Sequence, residues 1–340
     1  MKLRTLPAPA LALLSATLLT SCLPRPEAFD PNRQPQPSDF GPHNVATEWW
    51  YVSGYLPESG LAFHWAQFKV NYRGIPYHAG HLAVADLRAD KLNLFENESQ
   101  NTRYGFPPLR VEQGQWRLNQ QPDGSFRLGA GPLNLTLKPL KGLVVHPPGY
   151  SGTPEVGRLY YQSITRLEAS GTVALAGGET REVTGQVWLD HQWGDQQPGA
   201  QARWDWFGLH LSDGSDLMLY RVRNAAGQVV QVAGSRVDQA GVAREVPDVT
   251  MTPGRVYRSP SGREYVLGWT VSAPGLSLTL DAVRDEQELL TKNTSVAYWE
   301  GPVRGQGTLN DRPITAEGMG EFIGGTLTRE EGGRFVPSGR

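Results

Sequence analysis

Glu48-Trp49-Trp50-Tyr51-Val52-Ser53-Gly54-Tyr55-Leu56 decides how the chain is read. Nine residues this rich in aromatic and β-branched side chains predict a strand. Working outward, residues 61–72 and 81–87 follow at short spacing. The series continues through 115–118, 126–128, 133–137, 159–167, 185–193, 203–211, 217–222, 229–232, 265–271, 276–280, 297–303 and 314–322. Asp123-Gly124, Gly177-Gly178, Asp213-Gly214, Ser261-Gly262 and Asn310-Asp311 punctuate it as turns. Only residues 281–293 offer a helix candidate, and their apolar positions form no clean 3.6-residue stripe. The expected fold class is all-β, built of antiparallel barrels or sandwiches.

A length of 340 residues points to two domains. A formal charge of −2 excludes a strongly basic nucleic-acid binder, so no nucleic-acid partner is expected. One cysteine excludes an internal disulfide framework and any zinc site of paired thiolates. That cysteine is well placed for another use. Lys2 and Arg4 precede an apolar stretch, residues 8–19, and Leu19-Thr20-Ser21 leads into Cys22. This is the pattern of a bacterial lipoprotein signal, with residues 1–21 removed and Cys22 lipidated. Prolines 24, 26, 31, 35, 37 and 42 mark residues 22–42 as an extended tether. The polar break at 195–201 divides an N-terminal domain, 43–197, from a C-terminal domain, 198–328, with a tail at 329–340. The expectation is an exported protein held to a bacterial membrane by its lipid.

Seven of the ten tryptophans lie within residues 48–65 and 188–206, interrupted by Glu48, His64, Asp190, His191, Gln192 and Asp205. Alternation along a strand puts Trp188, Asp190 and Gln192 on one face, with His191 and Trp193 on the other. In the next strand Trp204, Trp206 and His210 share a face opposite Asp205, Phe207 and Leu209. A carboxylate among tryptophans in a barrel mouth is desolvated, which raises its pKa and makes a protonated acid available near neutral pH. The same residue type also braces barrel ends by hydrogen bonding, and sequence leaves both roles open. His78 and His81 look like a metal pair, but positions i and i+3 of a strand face opposite sides, so no metal site is expected.

Four motifs taken together resemble a known family. They are Thr47-Glu48-Trp49-Trp50-Tyr51 with Gly54; Trp188-Leu189-Asp190-His191-Gln192-Trp193-Gly194, preceded by Tyr160-Tyr161-Gln162-Ser163; Trp204-Asp205-Trp206-Phe207, leading to Leu217-Met218-Leu219-Tyr220; and Tyr298-Trp299-Glu300-Gly301, followed by Gly320-Glu321. The chain is similar over residues 43–325 to the family of AttH and carotenoid 1,2-hydratase (hydroxyneurosporene synthase). The resemblance implies two lipocalin-like antiparallel β-barrel domains packed together, a ligand cavity near their junction and no cofactor. It implies Asp190 as proton donor with His191 in support, and Tyr220 as the tyrosine that accompanies the acid. Trp50, Trp188, Trp193, Trp204 and Trp206 would line the cavity.

Three readings follow. The first is a lipid-anchored carrier of a hydrophobic isoprenoid, polyene or lipid-like molecule in the cell envelope. The second is an acid-catalysed hydratase or isomerase of a carotenoid-like polyene. The third is an accessory subunit of an ABC-type export permease.

Overall fold

The computed structural model describes residues 26–72, 74–197 and 202–323. The signal segment, Cys22 and the 329–340 tail lie outside the described residues. Strands β1 (Thr47–Leu56), β2 (Leu61–Tyr72), β3 (Ile75–Asp86) and β4 (Lys91–Asn97) form one antiparallel meander. β5 (Thr102–Gly105), β6 (Arg110–Gln113), β7 (Trp116–Gln120), β8 (Phe126–Ala130) and β9 (Leu133–Pro139) form a second. β10 (Val144–Thr153), β11 (Gly157–Ala174) and β12 (Thr180–Gly194) join them. The order is β4-β3-β2-β1-β12-β11-β9-β8-β7-β6-β5, with β10 on β11.

The second half opens with β13 (Arg203–Leu211), β14 (Asp216–Arg223), β15 (Val229–Val237), β16 (Ala243–Glu245) and β17 (Thr250–Pro253). A ribbon of β18 (Val256–Arg258) and β19 (Glu264–Val266) stands apart. β20 (Gly268–Ala273), β21 (Leu276–Ala282), β22 (Glu288–Leu290), β23 (Ala297–Leu309) and β24 (Arg312–Phe322) complete a sheet of order β16-β15-β14-β13-β24-β23-β21-β20-β17, with β22 on β23. Both sheets curl into half-barrels, giving the two lipocalin-like β domains. All the turn signals read from sequence carry positive φ at their glycines or at Asn310 and Asp311. Residues 281–293 hold no helix; they supply the end of β21 and all of β22.

Burial separates two kinds of strand. β9 and β21 alternate buried and exposed, as strands with one wet face do. β1 and β14 are buried almost throughout, and so is the second half of β12. Their even-numbered and odd-numbered residues face different cores. Trp50, Val52, Leu189 and Val187 belong to the first domain's interior. Phe207, Leu209, Leu217 and Leu219 belong to the second domain's. A third apolar cluster, with Tyr51, Tyr161, Trp188, Trp206, Met218 and Met319, fills the space between the sheets. Gly208 serves that junction: a Cβ there would lie 2.6 Å from the Trp206 ring and 3.2 Å from the Trp188 ring.

The junction is pinned by one buried carboxylate. Asp216, with no exposed surface, accepts from Lys141 at 2.7 Å, Thr165 at 2.8 Å and Arg166 at 2.7 and 2.9 Å, all from the first domain. His210 of its own domain adds a contact at 2.9 Å.

The expected tether behaves differently over its described part. Phe29 stacks on Tyr160 and Asp30 exchanges hydrogen bonds with the Tyr160 hydroxyl. Phe40, at the end of a short 3-10 turn (Pro37–Phe40), is buried in the first core. Residues 26–42 therefore pack onto the first domain, because two aromatic anchors outweigh the extended bias of the prolines.

Candidate active site between the two sheets

Cross-strand pairing builds one wall of a cavity from a single row. Ser163 pairs with Asp190, Asp190 with Tyr51, Tyr51 with Ala66, and Ala66 with His81. Residues directly opposite in an antiparallel pair share a face, so the row is continuous. The facing wall is Tyr220-Trp206-Glu321-Glu300, again successive partners. Between them lies a cavity of about 310 Å³. Apolar and aromatic surface dominates its lining, with Trp49, Phe68, Trp204 and Trp206 among the rings.

Asp190 is 3% exposed and well supplied with donors. Trp188 Nε1 donates to Oδ1 at 2.5 Å and Tyr161 donates to Oδ2 at 2.8 Å, while Ser163 Oγ also donates to Oδ1. Trp206 Nε1 in turn donates to the Tyr161 hydroxyl at 2.9 Å. Behind Ser163 stands His146, 2.7 Å away, its other nitrogen 2.5 Å from Ser235. Burial pushes the His146 pKa down to about 3, so its ring is neutral. Burial pushes Asp190 up to about 7, against the opposing pull of Ser163, Trp188 and Tyr161. The carboxyl is thus poised between its two forms at neutral pH.

Glu300 and Glu321 sit directly opposite each other on β23 and β24. Glu300 is 2% exposed; Tyr51 donates to its Oε1 at 2.5 Å and His64 Nδ1 lies 3.1 Å from its Oε2. Burial and the neighbouring Glu321 charge lift it well above the usual carboxylate range. Glu321 is less enclosed and opens on the cavity. Burial lifts it to about 7; a hydrogen bond from Trp204 opposes this and the Asp190 charge adds to it. Neither glutamate has a Lys or Arg ion-pair partner among the described residues. Opposed carboxylates without a cation cannot both be ionised at low cost, so this wall holds a neutral carboxylic acid at neutral pH.

The residues singled out from sequence divide cleanly. Asp190, Trp204, Trp206 and Tyr220 line the cavity, and Trp188 backs Asp190. His191, Trp50 and Trp193 face away from it. They stack on one another inside the first domain, His191 to Trp50 at 4.7 Å and to Trp193 at 4.5 Å. The period of two sends them there, one residue out of phase with Asp190. Tyr220 forms no hydrogen bond with Asp190; the tyrosine that does is Tyr161. Sequence reasoning did not single out Tyr51, His64, Tyr161, Glu300 or Glu321 for a role. The signal available was the Tyr298-Trp299-Glu300-Gly301 and Gly320-Glu321 motifs, each with an acid beside a glycine.

One cluster has metal-ligating residue types. His43 Nδ1, His191 Nε2 and a Glu48 oxygen lie within 4.8 Å of one another. The Lys69 ammonium is 3.0 Å from the other Glu48 oxygen, and the His43 amide donates to both oxygens. A divalent ion would meet a cation and a carboxylate already fully engaged, so the set does not fit a metal. It braces the N-terminal segment on β1 and β12. His78 and His81 also part company: His78 bonds Tyr104 at 2.9 Å, and His81 faces the other domain's Tyr298 at 3.1 Å.

The family model described as AttH-like matches residues 28–325. A crystal structure of an AttH from Nitrosomonas europaea is 27% identical with a TM-score of 0.75, covering 87% of this chain and 99% of its own. Kievitone hydratase from Nectria haematococca is 17% identical with a TM-score of 0.68, covering 89% and 97%. CghA with Sch210972 is 14% identical with a TM-score of 0.61, covering 88% and 94%. The last two are likenesses of fold. No curated protein matches the chain in sequence.

Proposed function

The chain belongs to the AttH-like family, and on that footing we propose that it binds an apolar, unsaturated molecule between its two sheets and hydrates or isomerises it by acid catalysis. The observation that carries the reading is the Glu300–Glu321 pair, without a Lys or Arg ion-pair partner among the described residues, opening on an aromatic cavity with Asp190 across from it. Binding alone would need only apolar walls and a few polar anchors. Three buried carboxyls with raised pKa values cost stability and are what proton transfer to carbon requires.

In this reading Glu321, the carboxyl opening on the cavity, gives its proton to one alkene carbon. An O–H bond breaks, a C–H bond forms, and the neighbouring carbon becomes a carbocation. The Trp206 and Tyr51 ring faces and the new Glu321 carboxylate stabilise that cation. A water oxygen then bonds to the cation and passes its proton to Asp190, and a proton returned to Glu321 closes the cycle. Loss of a neighbouring C–H proton to the Asp190 carboxylate instead gives the isomer, its C–H electron pair forming the new double bond, and the same proton return to Glu321 closes that cycle. At about 310 Å³ the cavity lies at the low end of pockets that bury drug-sized molecules, so it takes a short isoprenoid whole or one end of a long polyene. The name of the kievitone hydratase neighbour agrees in reaction type, at the level of fold.

The test is incubation of the purified protein with acyclic isoprenoids and polyenes, followed by mass spectrometry of the products. A gain of one water, or a shifted double bond, is expected for at least one substrate. If every substrate is bound but returned unchanged, the catalytic reading fails and the carrier reading takes its place.

The Lys2, Arg4, apolar-run and Ser21-Cys22 pattern supports export and lipid anchoring. In a bacterial host, labelled palmitate is expected to enter the wild type and not Cys22→Ser. Equal labelling of both would remove the anchor.

A further inference from the structure

Behind Glu300 runs a line of close polar contacts, hydrogen bonds from His64 outward, that leaves the cavity wall and ends on the 291–296 loop. Glu300 Oε2 lies 3.1 Å from His64 Nδ1, and His64 Nε2 lies 3.3 Å from the Tyr298 hydroxyl. That hydroxyl is 3.1 Å from His81 Nδ1, and His81 Nε2 is 2.7 Å from Asn293 Oδ1. The links alternate between domains: Glu300, Tyr298 and Asn293 come from the second, His64 and His81 from the first.

The polarity of the chain is fixed from its outer end. The Asn293 amide nitrogen donates to the Gly80 and Asn97 carbonyls, which turns its oxygen toward His81. His81 Nε2 must then carry a hydrogen. Burial holds the His81 pKa down to about 4, so the ring is neutral and Nδ1 is an acceptor. Tyr298 has one proton and gives it to that Nδ1. Its oxygen can therefore only accept from His64, whose Nε2 carries the hydrogen. His64, buried and held well below its usual value, is also neutral, which leaves its Nδ1 an acceptor facing Glu300. Only a protonated Glu300 can donate there, while Tyr51 donates to its other oxygen.

We propose that His64, Tyr298 and His81 are positioning residues whose one-directional relay, anchored at Asn293, sets the His64 Nδ1 lone pair 3.1 Å from Glu300 and so holds Glu300 as a neutral acid behind Glu321. This rests on the acid-catalytic reading for its purpose: a neutral Glu300 spares Glu321 a like-charged neighbour once Glu321 has given up its proton. The groups facing Glu300 are Tyr51 and His64 from the first domain and Glu321 and Tyr298 from the second, with Asp190 acting on Glu321.

The experiment needs no substrate, so its failure is separable from failure of the catalytic reading. Infrared spectroscopy reads the carbonyl stretch of protonated carboxyls, and the Glu300 band is assigned by its loss in Glu300→Gln. In the wild type that band is expected at neutral pH and to persist above it. His81→Leu leaves Tyr298 without an acceptor. Its hydroxyl then turns to His64 Nε2, and His64 becomes an Nδ1 donor that favours the Glu300 carboxylate. The titration midpoint of the band is expected to fall by about one pH unit or more, a tenfold change in the proton equilibrium. Tyr298→Phe removes the same link by a smaller change and is expected to move the midpoint the same way. A simple gain in apolar surroundings would raise the midpoint instead. An unmoved or raised midpoint in the variants that fold, or no Glu300 band in the wild type at neutral pH, overturns the proposal.

Discussion

Replacing Glu321 by glutamine is expected to lower the rate of hydration or isomerisation by about 10²–10⁴-fold, the range that one general acid contributes. The glutamine keeps the size of the side chain and its amide oxygen still accepts from Trp204, so an apolar ligand is expected to bind with unchanged affinity. The loss then falls on kcat. The wild-type rate carries its own signature: it falls as pH rises through about 7, where Glu321 loses the proton it must give. Asp190, also lifted to about 7 by burial, must be ionised to receive the proton from water, so the rate also falls on the acid side. The expected profile is a narrow bell centred near neutrality. Steady-state kinetics with the substrate found by mass spectrometry check both statements. A Glu321→Gln variant with near wild-type kcat would remove Glu321 from the chemistry.

The second large effect concerns stability. Asp216→Ala is expected to destabilise the folded chain by about 3–5 kcal/mol, because it leaves Lys141 and Arg166 charged at the junction without their carboxylate. Burial works to raise the Asp216 pKa, but the hydrogen bonds and charges of His210 and Arg166 bring it below the ordinary aspartate value. A folded-state pKa below the unfolded one means that the contribution is complete above the unfolded value and drains away as pH falls through the folded one. The gap between wild type and Asp216→Ala in a urea melt should therefore be widest near neutrality and shrink in acid. A gap below about 1 kcal/mol at neutral pH would show that water reaches the cluster and that the junction is held by apolar contact alone.

Much of this architecture could be read from residues 48–56, 188–194 and 203–211, where aromatic and β-branched side chains alternate with polar ones. Period-two reading sorted Asp190 from His191 and Trp206 from Phe207 onto the faces where the structure holds them. The resemblance pulled Trp50, His191 and Trp193 toward a ligand because they share motifs with cavity residues. A motif is contiguous in sequence, whereas a strand face takes every second residue. Glu300 and Glu321 illustrate what sequence withholds. They lie 21 positions apart, and only the register of β23 on β24 sets one carboxyl against the other. The strands β4 to β6 escaped notice for a different reason: they are short or largely half-exposed, so few of their positions carry the apolar signal that burial imposes.

β1 and β12 each present two independent surfaces, one to the first domain's interior and one to the space between the sheets. Selection can therefore rewrite Tyr51, Ser53 or Asp190 to suit a new small molecule while Trp50, Val52 and Leu189 go on specifying the same scaffold. Such a chain carries two interleaved messages, and changing the wording of one leaves the other legible. A framework organised in this way is suited to acquiring new chemistries through few substitutions.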